Sequence, residues 1–388
     1  MVRQVTYGPA HHFFGYIGHV GNTPWNGNGR YMVLLRSSAQ DRMPEPGESA
    51  DIVLIETENN YAMRKVDTTR AWNPQQGTML YWNPDAPNTQ FFFNDRDLET
   101  NKVFCVLYDI AEGRRVKEYR FADTPMGNSG VAQRGGFFLG LNYGRMDRLR
   151  KVTGYAGAHD WTGDLVSPDN DGIFKVDLQT GQKELIVSFA ALADWMRPFR
   201  PDIDDIPLFI NHTLWSRDNQ RILFYLRGYW DNGKPRLNEL FTMHADGSHL
   251  TRHETFLGGH PEWATHHKVI GTVANKQVIY DVDAKAIVQE LGNRNIFPNP
   301  GGDIALSPDA GWFVNGFKQK AENNYVIYNM NTGKHTTIGG LNRGTQFQGD
   351  VRLDPSPCWR RDGKALAVPA IAEDGTRQTF IIELSALQ

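Results

Sequence analysis

The sequence predicts an all-β fold, a seven-bladed β-propeller with a long insertion between blades 3 and 4, and three observations lead there. An aromatic or apolar residue followed by an Asp/Asn/Gly turn and a hydrophobic strand recurs along the chain, beginning at Trp25, Trp82, Gly135, Trp215, Trp263, Leu306 and Trp359. The starts fall mostly about 40 to 60 residues apart, the period expected when each unit is one propeller blade. Finally, 388 residues exceed what one undivided core usually supports, yet no Pro/Gly/Ser-rich linker breaks the chain, and repetition resolves that tension.

Each window is followed by a second hairpin signature, a strand running into an Asp or Asn turn and then another strand. Ile173-Phe-Lys-Val-Asp-Leu-Gln-Thr-Gly, Leu240-Phe-Thr-Met-His-Ala-Asp-Gly and Tyr325-Val-Ile-Tyr-Asn-Met-Asn-Thr-Gly are the clearest. Two hairpins make a four-stranded blade. The windows at Gly135 and Trp263 are degenerate, and the stretch from 135 to 215 is too long for one blade; it holds the one expected helix, Phe189 to Met196. A pair of β-sandwiches is the competing architecture, but sandwiches seldom repeat one aromatic-turn window seven times. The whole of 1–388 is therefore expected to be a single propeller domain.

Composition narrows the function. With 41 Lys plus Arg against 44 Asp plus Glu, the formal net charge is −3, so no global positive field draws in nucleic acid or an anionic membrane. Hydrophobic residues make up 40% and charged residues 22%, as in ordinary globular proteins. Two cysteines, Cys105 and Cys358, cannot form a disulfide framework. The segment beginning Met1-Val-Arg-Gln has no apolar signal core, so a cytoplasmic location is expected. The sequon Asn211-His212-Thr213 is short enough to arise by chance. No Gly-x-Ser-x-Gly elbow, P-loop or dinucleotide fingerprint is visible.

In a propeller the connections into the innermost strands converge on the central channel, so residues just upstream of the windows become neighbours. In order these are His11-His12, Gln75-Gln76, Asn142-Tyr143-Gly-Arg145, Asn211-His212, Gly259-His260, Gly302-Asp303 and Arg352-Leu-Asp354. Singly, such groups often only satisfy neighbouring backbone. Together, two or more His, two Asp, two Arg and a Tyr aimed at one concavity exceed what blade packing needs and point to an active site. His266-His267 reads as a solvated turn. The basic segment Arg145-Met-Asp-Arg-Leu-Arg-Lys is either a surface turn or a contact for a polyanionic sugar chain.

Several stretches carry a resemblance: His11-His-Phe-Phe-Gly-Tyr, Trp72-Asn-Pro-Gln-Gln-Gly-Thr-Met-Leu-Tyr-Trp-Asn-Pro, Phe93-Asn-Asp-Arg, Leu141-Asn-Tyr-Gly-Arg, Leu149-Arg-Lys-Val-Thr-Gly-Tyr-Ala-Gly and Ile210-Asn-His-Thr-Leu. Together they resemble the propeller-fold polysaccharide lyases, especially ulvan lyases, with oligogalacturonate lyases as more distant relatives. The resemblance implies β-elimination at a uronic acid in an acidic oligo- or polysaccharide, leaving a 4,5-unsaturated uronate. Such chemistry needs positive charge on the carboxylate, a base for the C5 proton and a proton for the departing oxygen.

Carried over residue by residue, the resemblance makes His260 the expected base, His212 a second catalytic group, Tyr143 a proton-transfer group and Arg145 the carboxylate clamp, with Tyr143 and His212 exchangeable. Expected substrate contacts are His12, Gln76, Tyr81, Asn211 and Arg352. Tyr81 stands where a His is expected in many ulvan-lyase-like chains. Asp303 and Asp354 stand where the family carries His, so they are candidate ligands for one divalent ion, with calcium, magnesium or manganese favoured over zinc. The alternative is no metal, with Arg352 and Arg145 supplying the charge. Two other functions stay open: a non-catalytic propeller binding acidic glycans or a protein, and a glycoside hydrolase using Asp303 and Asp354.

Overall fold

The computed structural model describes residues 1–15, 22–132, 134–229 and 233–384; Tyr16, the last residue of the first family-like stretch, lies outside them. Seven four-stranded antiparallel sheets form the blades of a propeller. Their innermost strands are His11–Phe13, Tyr81–Trp82, Gly127–Val131, Phe209–Trp215, Gly258–Trp263, Asp303–Leu306 and Cys358–Trp359, in blades 1 to 7. Blade 7 takes its outermost strand from the other end of the chain: Val2–Gln4 pairs with Arg377–Glu383 in the register Val2↔Ile382, so the ring is closed by hydrogen bonds between the two termini.

Burial follows position in the blade. The middle strand Ala365–Ile371 is buried at every residue, because both of its faces meet neighbouring blades, whereas the outermost strand Ala286–Leu291 is exposed at all but its last. That is why the inner strands read as continuous hydrophobic runs and the outer ones as polar. In blades 2, 3, 5 and 6 the second hairpin is set by a side chain. Asp109, Asp177, Asp281 and Asn329 each end a third strand, and their Oδ1 atoms accept from the backbone N–H groups two and three residues on. This turn chemistry is what the recurring Asp/Asn signature encodes.

The tryptophans that open the windows fasten blade to blade. Indole Nε1 of Trp82 donates to Pro24 O at 2.7 Å, Trp215 to Gly130 O at 3.1 Å, Trp263 to Leu214 O at 2.9 Å, and Trp359 to Ala305 O at 2.8 Å. In each case the acceptor belongs to the preceding blade. All four rings are at most 5% exposed, so each contact combines a large apolar burial with a satisfied polar atom. The window at Gly135 forms the turn between Gly127–Val131 and Phe137–Leu141, where Gly135 has φ +72°, a conformation glycine adopts without strain.

The surplus residues between 135 and 215 are distributed differently from the expected insertion between blades 3 and 4. Most of them, 142–171, interrupt blade 3 itself, between its second strand Phe137–Leu141 and its third, Gly172–Asp177. This segment opens with helix α1 (Tyr143–Leu149), capped by Asn142, whose side chain accepts from Arg145 N–H. Only 189–208 join blade 3 to blade 4, and they contain the expected helix, α2 (Phe189–Met196), capped by Ser188. Cys105 and Cys358 are both buried and unbonded to each other. Among the described residues no helix is long and apolar enough to cross a membrane.

Candidate functional site

A backbone irregularity is repeated around the channel. Met79, His212, His260 and Ser356 each have positive φ, +54°, +60°, +50° and +41°, and each stands three residues before the fastening tryptophan of its blade, Trp82, Trp215, Trp263 and Trp359. In blades 4 and 5 the strand pairing slips at the same place, between Asn211 and Leu214 and between Gly258 and Glu262. A left-handed non-glycine residue costs about 1 to 2 kcal/mol, and a bulge re-aims a side chain out of the pleat. Two of the four strained positions are histidines, and they face the same concavity.

Gln76, Arg150, His212, His260, Arg352, Asp354 and Ser356 line that concavity, which has about 390 Å³ of empty space including its open mouth. The His212 and His260 rings lie 5.5 Å apart, centroid to centroid, tilted by 43°. Nδ1 of His260 is 2.8 Å from Oδ1 of Asp303, but the ring is not aligned for a linear hydrogen bond. Asp303 is 5% exposed in its side chain and His260 33%, which puts the carboxylate behind the ring and the ring toward solvent. The other oxygen, Oδ2, accepts from Ser356 N–H at 2.8 Å. Asp303 thus joins the strained histidine of blade 5 to the strained serine of blade 7.

Electrostatics differ between the two histidines. Burial, helped by the nearby Arg227 and by His260, pushes the His212 pKa well below the ordinary 6.5, so its imidazole is neutral at neutral pH. Arg227 itself is buried, donates through Nη1 to Asn211 Oδ1 at 2.5 Å, and has its pKa pushed down to about 9 by burial and by Arg150. Asp354 receives Lys318 Nζ at 2.6 Å and Arg352 Nε at 3.1 Å on the same oxygen, Oδ1. Burial works against its charge, yet Arg352 and Lys318, with His260 beyond them, hold its carboxyl below the usual carboxylate range.

Of the expected site residues, His212, His260, Gln76, Arg352 and Asp354 meet at the concavity, with Asp303 behind His260, while Asn211 is buried and accepts from Arg227. Tyr143 and Arg145 do not. Tyr143 is 1% exposed, stacks on Tyr155 with ring centroids 4.2 Å apart, and donates its hydroxyl to Asn128 O at 2.8 Å. Arg145, also 1% exposed, donates to Leu208 O, Thr162 Oγ1, Leu165 O and Val166 O. It organises the insertion around its own guanidinium, and no face of it is left for a carboxylate of substrate. Tyr81 is buried in the core at 4% exposure. His12 is 3% exposed and pairs with Gln378 across the junction of blades 1 and 7.

Sequence reasoning passed over Arg150, Ser356 and Lys318. Ser356 carried a usable signal, its three-residue spacing to Trp359, the same as His212 to Trp215. Blade 3 illustrates the opposite error: its innermost strand is Gly127–Val131, so the segment leading into the channel there ends at Met126, and Tyr143 follows the second strand instead.

A divalent ion does not fit the donors present. Among the described residues, no group of three or more His, Cys, Asp or Glu side chains is arranged to hold a metal. Asp303 is committed to His260 and the Ser356 N–H, and Asp354 already carries two cations on one oxygen. Each aspartate of the expected Asp303/Asp354 pair is instead engaged by side chains of its own, Asp303 beside His260 and Asp354 with Lys318 and Arg352.

No protein-family model matches the chain, and no curated protein does. Among solved structures it is similar to one described as oligogalacturonate lyase in complex with manganese, with a TM-score of 0.64 and 12% identity over 99% of this chain and 93% of that one. It is also similar to the β-propeller domain of the trilobed protease from Pyrococcus furiosus, with a TM-score of 0.51 and 10% identity over 94% of this chain and 95% of that one. A third is the β-propeller domain of Cps50 (Swd1) from Myceliophteria thermophila, with a TM-score of 0.50 and 10% identity over 99% and 100%. At such identities the likeness is one of fold, and it makes this chain a seven-bladed β-propeller. Enzymes and non-catalytic scaffolds share that architecture, so function has to be argued from the site.

Proposed function

We propose that this propeller is a carbon–oxygen lyase that cleaves uronate-containing oligo- or polysaccharides by β-elimination. The observation that carries the proposal is the pair of strained histidines, His212 and His260, at equivalent places in adjacent blades, one neutral and one backed by Asp303. In the reaction the C5–H bond breaks as a base takes the proton, its electron pair forms the C4=C5 double bond, and the C4–O bond breaks. The departing oxygen takes up a proton, so atoms and charge balance without an oxidant or a water molecule.

His260 is the base in this scheme. Asp303 behind it orients the ring and stabilises the imidazolium that forms, a role carboxylates often play for catalytic histidines. The proton taken up by the departing oxygen is the one His260 removed from C5, returned by the imidazolium, while His212, kept neutral by burial, stabilises that oxygen by hydrogen bonding. Arg150 and Arg352 line the same concavity and provide positive charge for the uronate carboxylate as negative charge builds there. The expected roles of Tyr143 and Arg145 pass to these residues.

Hydrolysis through Asp303 and Asp354 is less well supported. A hydrolase needs one carboxyl held protonated, whereas Asp354 is kept ionised by Arg352 and Lys318. The test is to incubate the protein with a panel of galacturonate, glucuronate and iduronate oligosaccharides and follow ultraviolet absorbance of the conjugated double bond. Rising absorbance supports elimination. Shortened products without it would point to hydrolysis, and intact substrates throughout would point to a binding propeller.

A further inference from the structure

Lys318 belongs to the second strand of blade 6, Trp312–Gln319, one strand out from the channel, yet its ammonium reaches Asp354 at the concavity. Lys318 Nζ and Arg352 Nε converge on one oxygen of Asp354, Oδ1, at 2.6 and 3.1 Å. Two positive groups on one carboxylate leave a local charge of +1. Arg352 is anchored a second time, through Nη1 to Gly349 O at 2.9 Å, so its guanidinium is held rather than free to swing. About a third of each cationic side chain stays exposed, 30% for Lys318 and 36% for Arg352, against 13% for Asp354. The carboxylate is covered and its two cations face outward.

A divalent ion that took Asp354 as a ligand would sit beside two like charges already paired with that carboxylate. Across the concavity Arg150 adds a third cation from the end of α1. On the reading of the site as one for uronate elimination, we propose that the positive charge needed there is built into the chain: Lys318 and Arg352, fixed on Asp354, take the place of a bound metal ion and receive the carboxylate of the acidic sugar. Asp354 is then a positioning residue, holding two long side chains in one geometry so that less freedom is lost when substrate arrives. The arrangement makes binding metal-independent and selective for an anionic sugar over its neutral counterpart.

Two measurements test this. Manganese titrated into the chelator-treated protein and followed by electron paramagnetic resonance is expected to give the signal of the free ion throughout, whatever the substrate proves to be. Calorimetric binding of a uronate trisaccharide to His260→Ala protein, with and without chelator, is expected to give the same affinity in both conditions. Lys318→Gln and Arg352→Gln are each expected to weaken that binding by about tenfold or more, the size of one charge-assisted contact, while Lys318→Arg retains most of it. The carboxyl-reduced trisaccharide should lose affinity for the parent protein and be indifferent to both Gln substitutions. Thermal midpoints within a few degrees of the parent show that the variants are folded. Stoichiometric manganese binding, or uronate binding that appears only with a divalent ion, overturns the proposal and leaves the lyase reading standing. Failure to bind any uronate under either condition overturns both.

Discussion

His260 in blade 5 and Asp303 in blade 6 are joined at 2.8 Å across the blade boundary, and the carboxylate is covered while the imidazole reaches solvent. On the lyase reading, the Asp303 carboxylate beside Nδ1 stabilises the imidazolium that forms when His260 takes a proton. Replacing His260 with Ala should lower turnover by at least about a hundredfold, the contribution expected of a general base. Asp303→Asn should cost less, about tenfold or more in kcat with little change in KM, because the Asn oxygen can still accept from Ser356 N–H. Steady-state kinetics on the responsive oligosaccharide reads both. Near-normal turnover in His260→Ala would remove it from the base role.

Strain at the same residue makes a separate prediction. His260 has φ +50°, which an alanine there must also adopt and a glycine adopts freely. His260→Gly should therefore be more stable than His260→Ala by about 1 kcal/mol, even though both are inactive. Denaturant unfolding of the two variants, compared with each other rather than with the parent, isolates the backbone contribution. Equal stability would mean that the left-handed turn carries no cost.

Tyr143 and Arg145 are expected to behave as structural residues. Tyr143→Phe removes one hydroxyl that donates to a buried carbonyl, Asn128 O, and should lower stability by about 1 to 3 kcal/mol with turnover within a few-fold of the parent. Arg145→Ala removes four hydrogen bonds at once from the segment 162–208 and should lower the thermal midpoint sharply. Thermal melts paired with activity at low temperature separate the two effects. A folded Tyr143→Phe protein with a hundredfold loss in kcat would restore Tyr143 to proton transfer.

Much of the fold is written in the chain because each blade repeats one local solution. The tryptophan of each Trp-containing window after the first, Trp82 through Trp359, reaches back to the blade before it, and the Asp or Asn at a third strand's end makes its own turn, so both leave a periodic mark. His212 and His260 were legible for the same reason, since they occupy the repeat's own bulge. Blade 3 hid its organisation because the insertion separates strands two and three, which moved Tyr143 and Arg145 from an apparent channel position into a packed helix. Lys318 was invisible because its reach to Asp354 depends on how blade 6 leans over the connection into blade 7, and no local pattern records that.

Glu262 provides a test by pH. It is buried beside His260, accepts from Leu306 N–H at 2.8 Å, and lies 3.5 Å from Arg217; burial pushes its pKa up to about 7 from the ordinary 4.5. Below the ordinary value Glu262 is protonated in both folded and unfolded chains. As pH rises from there to about 7 the unfolded chain ionises first, so the folded state loses stability by up to about 3 kcal/mol. Glu262→Gln lacks that loss. The stability gap, variant minus parent, should widen by this amount between acid and mildly alkaline pH, with contributions from other groups cancelling in the difference. A gap independent of pH would show that Glu262 titrates normally.

The central claim is elimination at a uronate, and it is tested most directly by running the reaction in heavy-oxygen water and weighing the products. Elimination breaks the C4–O bond without adding water, so the account predicts an unsaturated non-reducing end and no solvent oxygen beyond the exchange at reducing ends seen in an enzyme-free control, with His260→Ala at least about a hundredfold slower. Hydrolysis inserts one solvent oxygen at every cleavage. Labelled, saturated fragments would contradict the account, as would a His260→Ala protein that makes the unsaturated product at the parent rate.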